Sequence, residues 1–260
     1  MIAGAACEGV DSARHPTPVR RHSKPVKTVG HWCEAGLVEV RGDRWPRCLP
    51  AVSAPSWELD QADPTLVGTL DDRGIRGPGR ALDVGCGTGD NAIELARRGF
   101  QVTALDIADR PLMLAREKAT AAGVDVNFRV ADATRLGATD GAFDLIVDRG
   151  LLMSLFGERA RRAYASALIR LAADGGSLYQ HQWVLPQYPR VPSAGWLATK
   201  VKAFVTAPDE IDDRFGEAFA VEQLRRSIEP TDDPGMRRMG IRQIAKTSYW
   251  LRRRPTAAAG

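Results

Sequence analysis

The chain reads Ala81-Leu-Asp-Val-Gly-Cys-Gly-Thr-Gly-Asp-Asn91 where a short apolar stretch gives way to a helical pattern. The apolar residues before Gly85 predict a buried strand, and the spacing of apolar residues after Asn91 predicts a helix. Gly85, Gly87 and Gly89 let the backbone turn tightly and approach a ligand closely, because glycine has no Cβ. The stretch therefore predicts a ligand site at the carboxyl end of the strand.

The segments that follow alternate between strand and helix patterns. Strands are predicted at 101–106, 126–130, 143–148 and 177–185, and helices at 110–122 and 158–173. Such alternation favours βαβ units, which need a parallel sheet with helices on both faces. Two last strand-like segments, 218–229 and 243–252, predict an antiparallel hairpin. The expected fold class is α/β, a Rossmann-like doubly wound and mostly parallel seven-stranded sheet with this C-terminal antiparallel hairpin.

Residues 1–55 differ in composition from the rest of the chain. Pro, Arg, His and Ser recur there, and the apolar residues follow neither the strand period nor the helix period. Such a segment buries too little apolar surface to offset the entropy of ordering it. We therefore expect an irregular, disordered extension over 1–55 and one folded domain over 56–260. Asp63-Pro64 predicts the start of the first helix, with Asp63 as its N-cap.

Charge and composition argue against nucleic-acid, membrane and metal partners. Residues 1–55 hold eight of the 36 Lys and Arg and five of the 32 Asp and Glu, so the remaining domain is nearly neutral. No apolar run approaches the roughly 20 residues that span a bilayer, and no secretory signal is evident. Cys7, Cys33, Cys48 and Cys86 show no zinc-binding spacing. We expect a cytoplasmic protein with no metal.

Two classes of ligand fit a glycine turn of this kind. A dinucleotide site needs a third glycine at position 90 when counted from Gly85, and Asp90 stands there. Counted from Gly87, Ala92 is tolerated as the third residue, but Gly89 is then unexplained. The carboxylates of Asp83 and Asp90 would oppose a pyrophosphate at the helix N-terminus, whereas they suit a cationic amine. The pattern favours an amine-bearing ligand such as S-adenosylmethionine.

The turn resembles the first motif of class I S-adenosylmethionine-dependent methyltransferases. The resemblance implies that S-adenosylmethionine is the cofactor and that seven residues of the turn bind it: Asp83, Gly85, Cys86, Gly87, Thr88, Gly89 and Asp90. It further implies that Asp106, with Ile107, binds the ribose and that Asp132-Ala133 lies by the adenine. The segment Phe143–Gly150, including Asp148, would face the methyl group and the acceptor.

A narrower similarity concerns the acceptor. Trp57-Glu58 ahead of Asp63-Pro64, together with Asp148-Arg149-Gly150, is similar to the thiopurine-methyltransferase-like branch of small-molecule enzymes. This similarity implies a small-molecule acceptor with an S, O or N nucleophile, in a monomer or homodimer. Trp57 either covers the cofactor or closes the edge of the core. The chain departs from that branch at Leu151–Leu155, where many members carry a His or a Phe.

The candidate catalytic residues are Asp148, His181 and Tyr179. Methyl transfer mainly requires alignment, and it needs a base only when the acceptor must lose a proton. His181 is a candidate base, and Tyr179 faces the same side of its strand. Asp148 is a candidate for contacting the cofactor, holding the acceptor or fixing Arg149. Ordinary packing remains open for all three.

Three other functions remain open at this point. One is a non-catalytic nucleotide-binding module of the same fold, and another is an RNA or protein methyltransferase. The place after the fourth strand reads Asp148-Arg-Gly-Leu151, without the aromatic platform that RNA bases stack on. The third is an NAD-dependent oxidoreductase, against which Asp90 argues.

Deleting residues 1–50 is expected to leave the temperature of unfolding nearly unchanged, because the extension buries little apolar surface. Calorimetric melting of the full and shortened chains measures this. A fall of more than about 4 °C, equivalent to roughly 1 kcal/mol or more, would place the extension within the fold.

Overall fold

The computed structural model describes residues 29–33, 36–40, 59–137, 141–155, 157–184, 206–231, 237 and 241–255. Two strands fall in the range predicted to be irregular, β1 (Val29–Cys33) and β2 (Gly36–Val40). They pair antiparallel with each other as a separate two-stranded sheet. The rest of residues 1–55 lies outside the described residues, so the domain boundary near residue 56 stays a prediction.

A seven-stranded mixed sheet organises the remaining strands. They are β3 (Arg80–Val84), β4 (Gln101–Asp106), β5 (Asn127–Val130), β6 (Phe143–Arg149), β7 (Ala172–Val184), β8 (Phe219–Pro230) and β9 (Gln243–Arg253). Their order is β5-β4-β3-β6-β7-β9-β8, and β3 to β7 run parallel while β9 is antiparallel to both β7 and β8. The α/β fold class with its C-terminal antiparallel hairpin is thus confirmed. The strand order reverses beside β3, which is where α/β sheets bind their ligands.

The helices flank the sheet at the expected places. They are α1 (Pro64–Asp72), α2 (Asp90–Arg97), α3 (Asp109–Ala121), α4 (Leu151–Ser154), α5 (Glu158–Leu171) and α6 (Glu210–Phe215), with a 3-10 turn at Ala133–Arg135. The predicted N-cap is present, since Asp63 Oδ1 accepts from the backbone N–H groups of Thr65 at 2.8 Å and Leu66 at 3.3 Å. None of the helices in the described ranges has the length and apolar character needed to cross a bilayer.

Strand β7 begins earlier than the sequence predicts. It starts at Ala172 rather than at Ser177, and the predicted helix of 158–173 ends at Leu171. Phe143 pairs with Ala172 and Leu145 with Ser177, so β7 contains a bulge between these pairs. Gly175, with a φ of +69°, lies within that bulge. A bulge inserts extra residues into the strand, so a sequence pattern with a period of two does not reveal it.

The apolar core has two layers, one on each face of the sheet. Ile146 of β6 faces a layer built with α5 and α6, in which Tyr164, Leu168 and Phe215 are buried. Val147 faces the other layer, which contains Tyr179 and Trp250 and is completed by Leu66 and Leu70 of α1 and Leu95 of α2. Successive strand residues point to opposite faces. At the end of β6, Asp148 therefore faces the α5 side and Arg149 the α1 side.

Candidate active site

The glycine turn joins β3 to α2 at the carboxyl edge, the edge of the sheet where β3 to β7 end. The backbone N–H groups of Gly85 and Cys86 both donate to the Leu105 carbonyl, at 2.7 and 2.9 Å. Gly89 N–H donates to the Cys86 carbonyl at 2.9 Å, which closes the turn. All three glycines have positive φ, at +72°, +54° and +85°. L side chains rarely adopt this conformation, so the glycines are required by backbone geometry.

The three glycines differ in what surrounds them. A Cβ on Gly89 would lie 2.9 Å from the Ala115 Cβ and 3.1 Å from the Phe128 ring, so this position serves the packing of α3 and β5. A Cβ on Gly85 would lie 3.1 Å from the Leu151 Cβ. A Cβ on Gly87 would meet nothing within 4 Å. Gly87 is therefore the position of the turn that a ligand can approach.

Asp106 ties the glycine turn to the end of β4. Its Oδ2 accepts from Gly87 N–H at 3.0 Å, and its Oδ1 accepts from Ala108 N–H at 2.9 Å. Each carboxylate oxygen has a second acceptor site, so two ribose hydroxyls fit here. Burial raises the pKa of Asp106 above its usual range, although hydrogen bonds from the N–H groups of Ala108 and Gly87 partly offset this increase. Ile107, also assigned to the cofactor site, is half-buried beside it.

Asp83 is a buried carboxyl with an unsatisfied oxygen. The side chain is 1% exposed, and the backbone N–H of Ala92 in α2 binds it. Its Oδ2 has no hydrogen-bond partner among the described residues. Burial first, and then the charges of Asp106 and Asp148, raise its pKa to about 7. A buried oxygen without a donor fits the cationic amine that the sequence assigns to this place.

Asp90 and Thr88 are engaged by Lys118 of α3. Lys118 Nζ lies 2.8 Å from Asp90 Oδ1 and 3.1 Å from Thr88 Oγ1, and it also pairs with Asp60 at 3.0 Å. Asp90, Asp60 and Lys118 line one surface groove along α2. Asp90 is thus paired within the fold, and its binding to the cofactor stays a prediction. The electrostatic argument against a pyrophosphate now rests on Asp83.

Three other residues assigned to the cofactor site have roles within the fold. Asp132 Oδ1 caps the 3-10 turn by accepting from Thr134 N–H at 2.9 Å and Thr134 Oγ1 at 2.7 Å, so Oδ2 is the oxygen left to meet an adenine. Ala133 is 9% exposed and belongs to the core. Cys86 is half-buried, and burial raises the pKa of its thiol, which remains protonated.

Asp148 holds the turn between β6 and α4. Its Oδ1 accepts from Leu151 N–H at 2.6 Å, and its Oδ2 accepts from Leu152 N–H at 3.2 Å and from the Tyr164 hydroxyl at 2.8 Å. The side chain is 0% exposed, and burial raises its pKa to about 6 against these donors. A buried carboxylate whose oxygens accept these hydrogen bonds serves to position the backbone of the turn. These contacts give no support to the catalytic or cofactor-binding role predicted for it.

Tyr179 and His181 meet on the α1 side of the sheet, in a group that we name the Asp63 cluster. Its members are Asp63, Arg149, Tyr179, His181 and Ser248. Asp63 Oδ2 lies 3.0 Å from Arg149 Nε and 3.9 Å from His181 Nδ1. The sequence assigned Asp63 only as a helix cap. Nothing in the sequence marked Ser248, since it reaches the cluster through its pairing with His181 across β7 and β9.

Some predicted residues cannot be placed. Trp57 lies outside the described residues, as do Cys7, Cys48 and the start of the segment that Trp57 belongs to. Within the described ranges, no three or more His, Cys, Asp and Glu side chains come together in a way that could hold a metal ion.

The segment that carries the turn is similar to a domain of known proteins. Residues 81–176 match a family model described as a methyltransferase domain. The 2-heptyl-1-hydroxyquinolin-4(1H)-one methyltransferase of Mycobacteroides abscessus is 33% identical over 124 residues, covering 47% of this chain and 53% of that protein. The demethylmenaquinone methyltransferase of Thermus thermophilus is 37% identical over 126 residues, covering 46% and 52%. The chain spans about half the length of these curated relatives.

Solved structures agree on the architecture. The YcgJ protein of Bacillus subtilis aligns with a TM-score of 0.60 over 74% of this chain and 99% of its own, at 16% identity. The N-methyltransferase NodS from Bradyrhizobium japonicum, solved with S-adenosylhomocysteine, aligns with a TM-score of 0.51 over 73% and 83%, at 17% identity. At such identities the likeness establishes the fold. Residues 81–176 are therefore similar to a methyltransferase domain, and the chain has the Rossmann-like fold of these solved structures.

Proposed function

We propose that this protein transfers a methyl group from S-adenosylmethionine to a small-molecule acceptor with an S, O or N nucleophile, by in-line displacement. The observation that carries the proposal is the buried Oδ2 of Asp83, which has no hydrogen-bond partner in the described part of the chain, beneath a turn that is open at Gly87. A cationic amine at Asp83 would satisfy that oxygen. A diphosphate would instead meet a buried carboxyl that ionises near neutral pH.

Each part of the nucleoside has a matching group in the chain. Asp106 offers acceptor sites to the ribose, Asp132 offers its Oδ2 near the adenine, and Gly87 leaves room for the backbone to approach. Bound S-adenosylmethionine supplies a methyl group on a sulfonium, which is a good leaving group. The chain needs mainly to align the acceptor and to exclude water, and such alignment can contribute about 7–11 kcal/mol toward the barrier.

The comparisons support the small-molecule part of the proposal. The names of the two relatives specify a hydroxyquinolone and demethylmenaquinone as their substrates, and a structural neighbour holds S-adenosylhomocysteine. The finer similarity to the thiopurine-methyltransferase-like branch stays a prediction, because these relatives act on other compounds. So do Trp57 as a cover for the cofactor and the monomeric or homodimeric state.

Two alternatives make different predictions. A non-catalytic nucleotide-binding module of this fold would bind S-adenosylhomocysteine without releasing methyl from labelled cofactor. An RNA or protein methyltransferase would label macromolecules but not a pool of small thiols, phenols and amines. A labelled-cofactor screen with all of these acceptors separates the three functions.

Asp106→Ala is expected to weaken binding of S-adenosylhomocysteine by roughly 1–3 kcal/mol, through lost hydrogen bonds to the ribose. Titration calorimetry measures this, with Asp109→Ala as the control, because Asp109 is an exposed carboxylate at the start of α3. Unchanged affinity in Asp106→Ala would remove Asp106 from the site. No heat from the wild-type protein at millimolar ligand would refute the proposed function.

Gly87→Ala and Gly89→Ala form a matched pair. Both place alanine at positive φ, which costs about 1–2 kcal/mol in each. Gly89→Ala also forces a Cβ to within 2.9 Å of Ala115, so we expect a further 1 kcal/mol or so of destabilisation from overpacking. Gly87→Ala should instead lose S-adenosylhomocysteine binding while it remains folded. If the assignment were wrong, denaturant unfolding would show that Gly87→Ala is the less stable variant. Calorimetry would show that Gly89→Ala is the folded variant that loses S-adenosylhomocysteine binding.

Asp83→Asn is expected to flatten the pH dependence of stability. Because the pKa of Asp83 is about 7 in the fold against an ordinary value of 3.8, the native state binds the extra proton between those values. The contribution of Asp83 to the free energy of unfolding therefore falls as pH rises from about 4 to about 7. Urea unfolding should show that the free energy of unfolding falls more between pH 5 and pH 8 in the wild type than in the variant. Equal losses in the two proteins would contradict the buried state of this carboxyl.

A further inference from the structure

A line of hydrogen-bonding groups runs from His181 to Asp63. His181 Nδ1 lies 2.9 Å from Ser248 Oγ. Ser248 Oγ lies 3.2 Å from the Tyr179 hydroxyl oxygen. That hydroxyl lies 3.1 Å from Asp63 Oδ1. Asp63, Tyr179 and Ser248 are buried, whereas the His181 side chain is 14% exposed. His181 is thus the end of this line that a ligand can reach.

The line lies against both segments assigned to the methyl donor. His181 of β7 pairs with Arg149 of β6, which stands directly before Gly150 and the turn into α4. At the other end, the backbone N–H of Asp63 donates to Asn91 Oδ1 at 2.8 Å, in the first turn of α2. The glycine turn opens that same helix. His181 therefore lies beside the segment that the resemblance assigns to the acceptor.

The carboxylate fixes the direction of the hydroxyl protons. Tyr179 has one proton, and an ionised carboxylate is a stronger acceptor than a serine hydroxyl, so the proton goes to Asp63. Ser248 can then donate to the Tyr179 oxygen while it accepts from His181 Nδ1–H. In this arrangement all the donors point toward Asp63 and strengthen one another.

The opposite arrangement would put the proton on Nε2 and have Ser248 donate to Nδ1. It would turn the unprotonated face of Nδ1 toward Asp63 Oδ2, which lies 3.9 Å away. A carboxylate at that distance favours the N–H on Nδ1. Nε2 is then left unprotonated, and no hydrogen bond to it is present among the residues that the structure describes.

Burial keeps His181 neutral before the reaction. Burial lowers its pKa to about 4, with Asp63 opposing and Arg149 supporting the change. Lys246 of β9 and Glu229 of β8 also face it, but they pair with each other at 2.7 Å and largely cancel. Burial would raise the pKa of Asp63, but the charge and hydrogen bond of Arg149, together with the N–H of Leu66, hold it below the usual range. Asp63 therefore stays ionised.

We propose that His181 is the base that accepts the proton of the methyl acceptor at Nε2, and that Ser248, Tyr179 and Asp63 are positioning residues that hold it in the Nδ1–H tautomer. The inference rests on the proposed function and narrows its substrate class to acceptors that must lose a proton, such as hydroxyls and thiols.

The step balances without any further reactant. The O–H or S–H proton of the acceptor moves to Nε2, and the electron pair of that bond forms the new bond to the methyl carbon. The carbon–sulfur bond of the donor breaks, and sulfur keeps its electron pair and becomes a neutral thioether. The Asp63 carboxylate partly offsets the burial that disfavours the cationic ring of His181, and the ring then gives its proton to water.

The first test needs no acceptor. Two-bond ¹H–¹⁵N correlations distinguish a protonated ring nitrogen from an unprotonated one, and the signals of His181, one of four histidines in the chain, are assigned by their loss in His181→Asn. We expect the Nδ1–H tautomer in the wild type and a shift toward Nε2–H in Ser248→Ala. Ser177→Ala, a buried serine at the other end of the same pairing of β7 and β9, should change nothing. An Nε2–H tautomer in the wild type would overturn the proposal.

The second test uses labelled cofactor with phenol, 4-nitrophenol and benzylamine. Asparagine keeps an amide near the position of Nδ1 but has no base at Nε2, so His181→Asn should lower kcat/KM for phenol at pH 7 by about 10²–10⁴-fold. In this variant kcat/KM for phenol should rise about tenfold per pH unit, because only the phenolate reacts below its pKa of about 10. The loss for 4-nitrophenol at pH 8, where that acceptor is largely ionised, should be small. Equal losses for both phenols, or transfer to benzylamine alone, would overturn the proposal.

The two levels of inference fail in different ways. If S-adenosylhomocysteine does not bind, the proposed function fails. If it binds equally to wild type and His181→Asn but the tautomer is Nε2–H, only the role of His181 fails. When none of the three acceptors is methylated, the tautomer spectrum decides by itself.

Discussion

The Asp106 carboxylate holds the glycine turn against the end of β4, and the geometry of the carboxyl edge depends on it. One oxygen binds the turn through Gly87 N–H and the other binds the start of α3 through Ala108 N–H. The two loops are therefore fixed relative to each other by a single side chain. Each oxygen accepts one of these hydrogen bonds and has a second lone pair, so each keeps an acceptor site for a ligand. Asp106, which orders the glycine turn, is thus also the residue suited to bind a ligand there.

Three carboxyls meet near this edge, of which Asp83 and Asp148 are fully buried, and their surroundings give them different roles. Asp148 is satisfied by Leu151, Leu152 and Tyr164, so it serves the backbone of the turn before α4. Among the residues that the structure describes, Asp83 Oδ2 has no hydrogen-bond partner, and the pKa of Asp83 is raised partly by the charges of the other two carboxyls. A buried charge without a partner costs stability. A cationic ligand at Asp83 would remove that cost, which couples folding stability to ligand binding.

Local pattern was enough to predict the elements and the glycine turn, because strand, helix and cap signals lie within a few residues of one another. Asp63 as the cap of α1 and the terminal hairpin of β8 and β9 follow from such signals. Contacts between distant segments could not be predicted in this way. Lys118 reaches Asp90 across 28 positions, and Ser248 meets His181 only through the register of β7 with β9. The early start of β7 depends on a bulge, which leaves no periodic pattern in the sequence. The hydrogen-bond partners of Asp90 and Asp148, whose roles at the site stay predictions, lie across such gaps or in a turn.

The Asp63 cluster owes its order to the core beneath it. Asp63 caps α1, and Leu66 and Leu70 of that helix pack in the same layer as Tyr179 and Trp250. The carboxylate therefore cannot turn away without uncapping the helix, which costs about 1 kcal/mol before any packing is lost. A catalytic histidine works best when the groups that orient it are themselves held by packing. Here one carboxylate caps a helix, pairs with Arg149 and orients Tyr179, so the side of the carboxyl edge where we propose that the acceptor binds is set by the core layer.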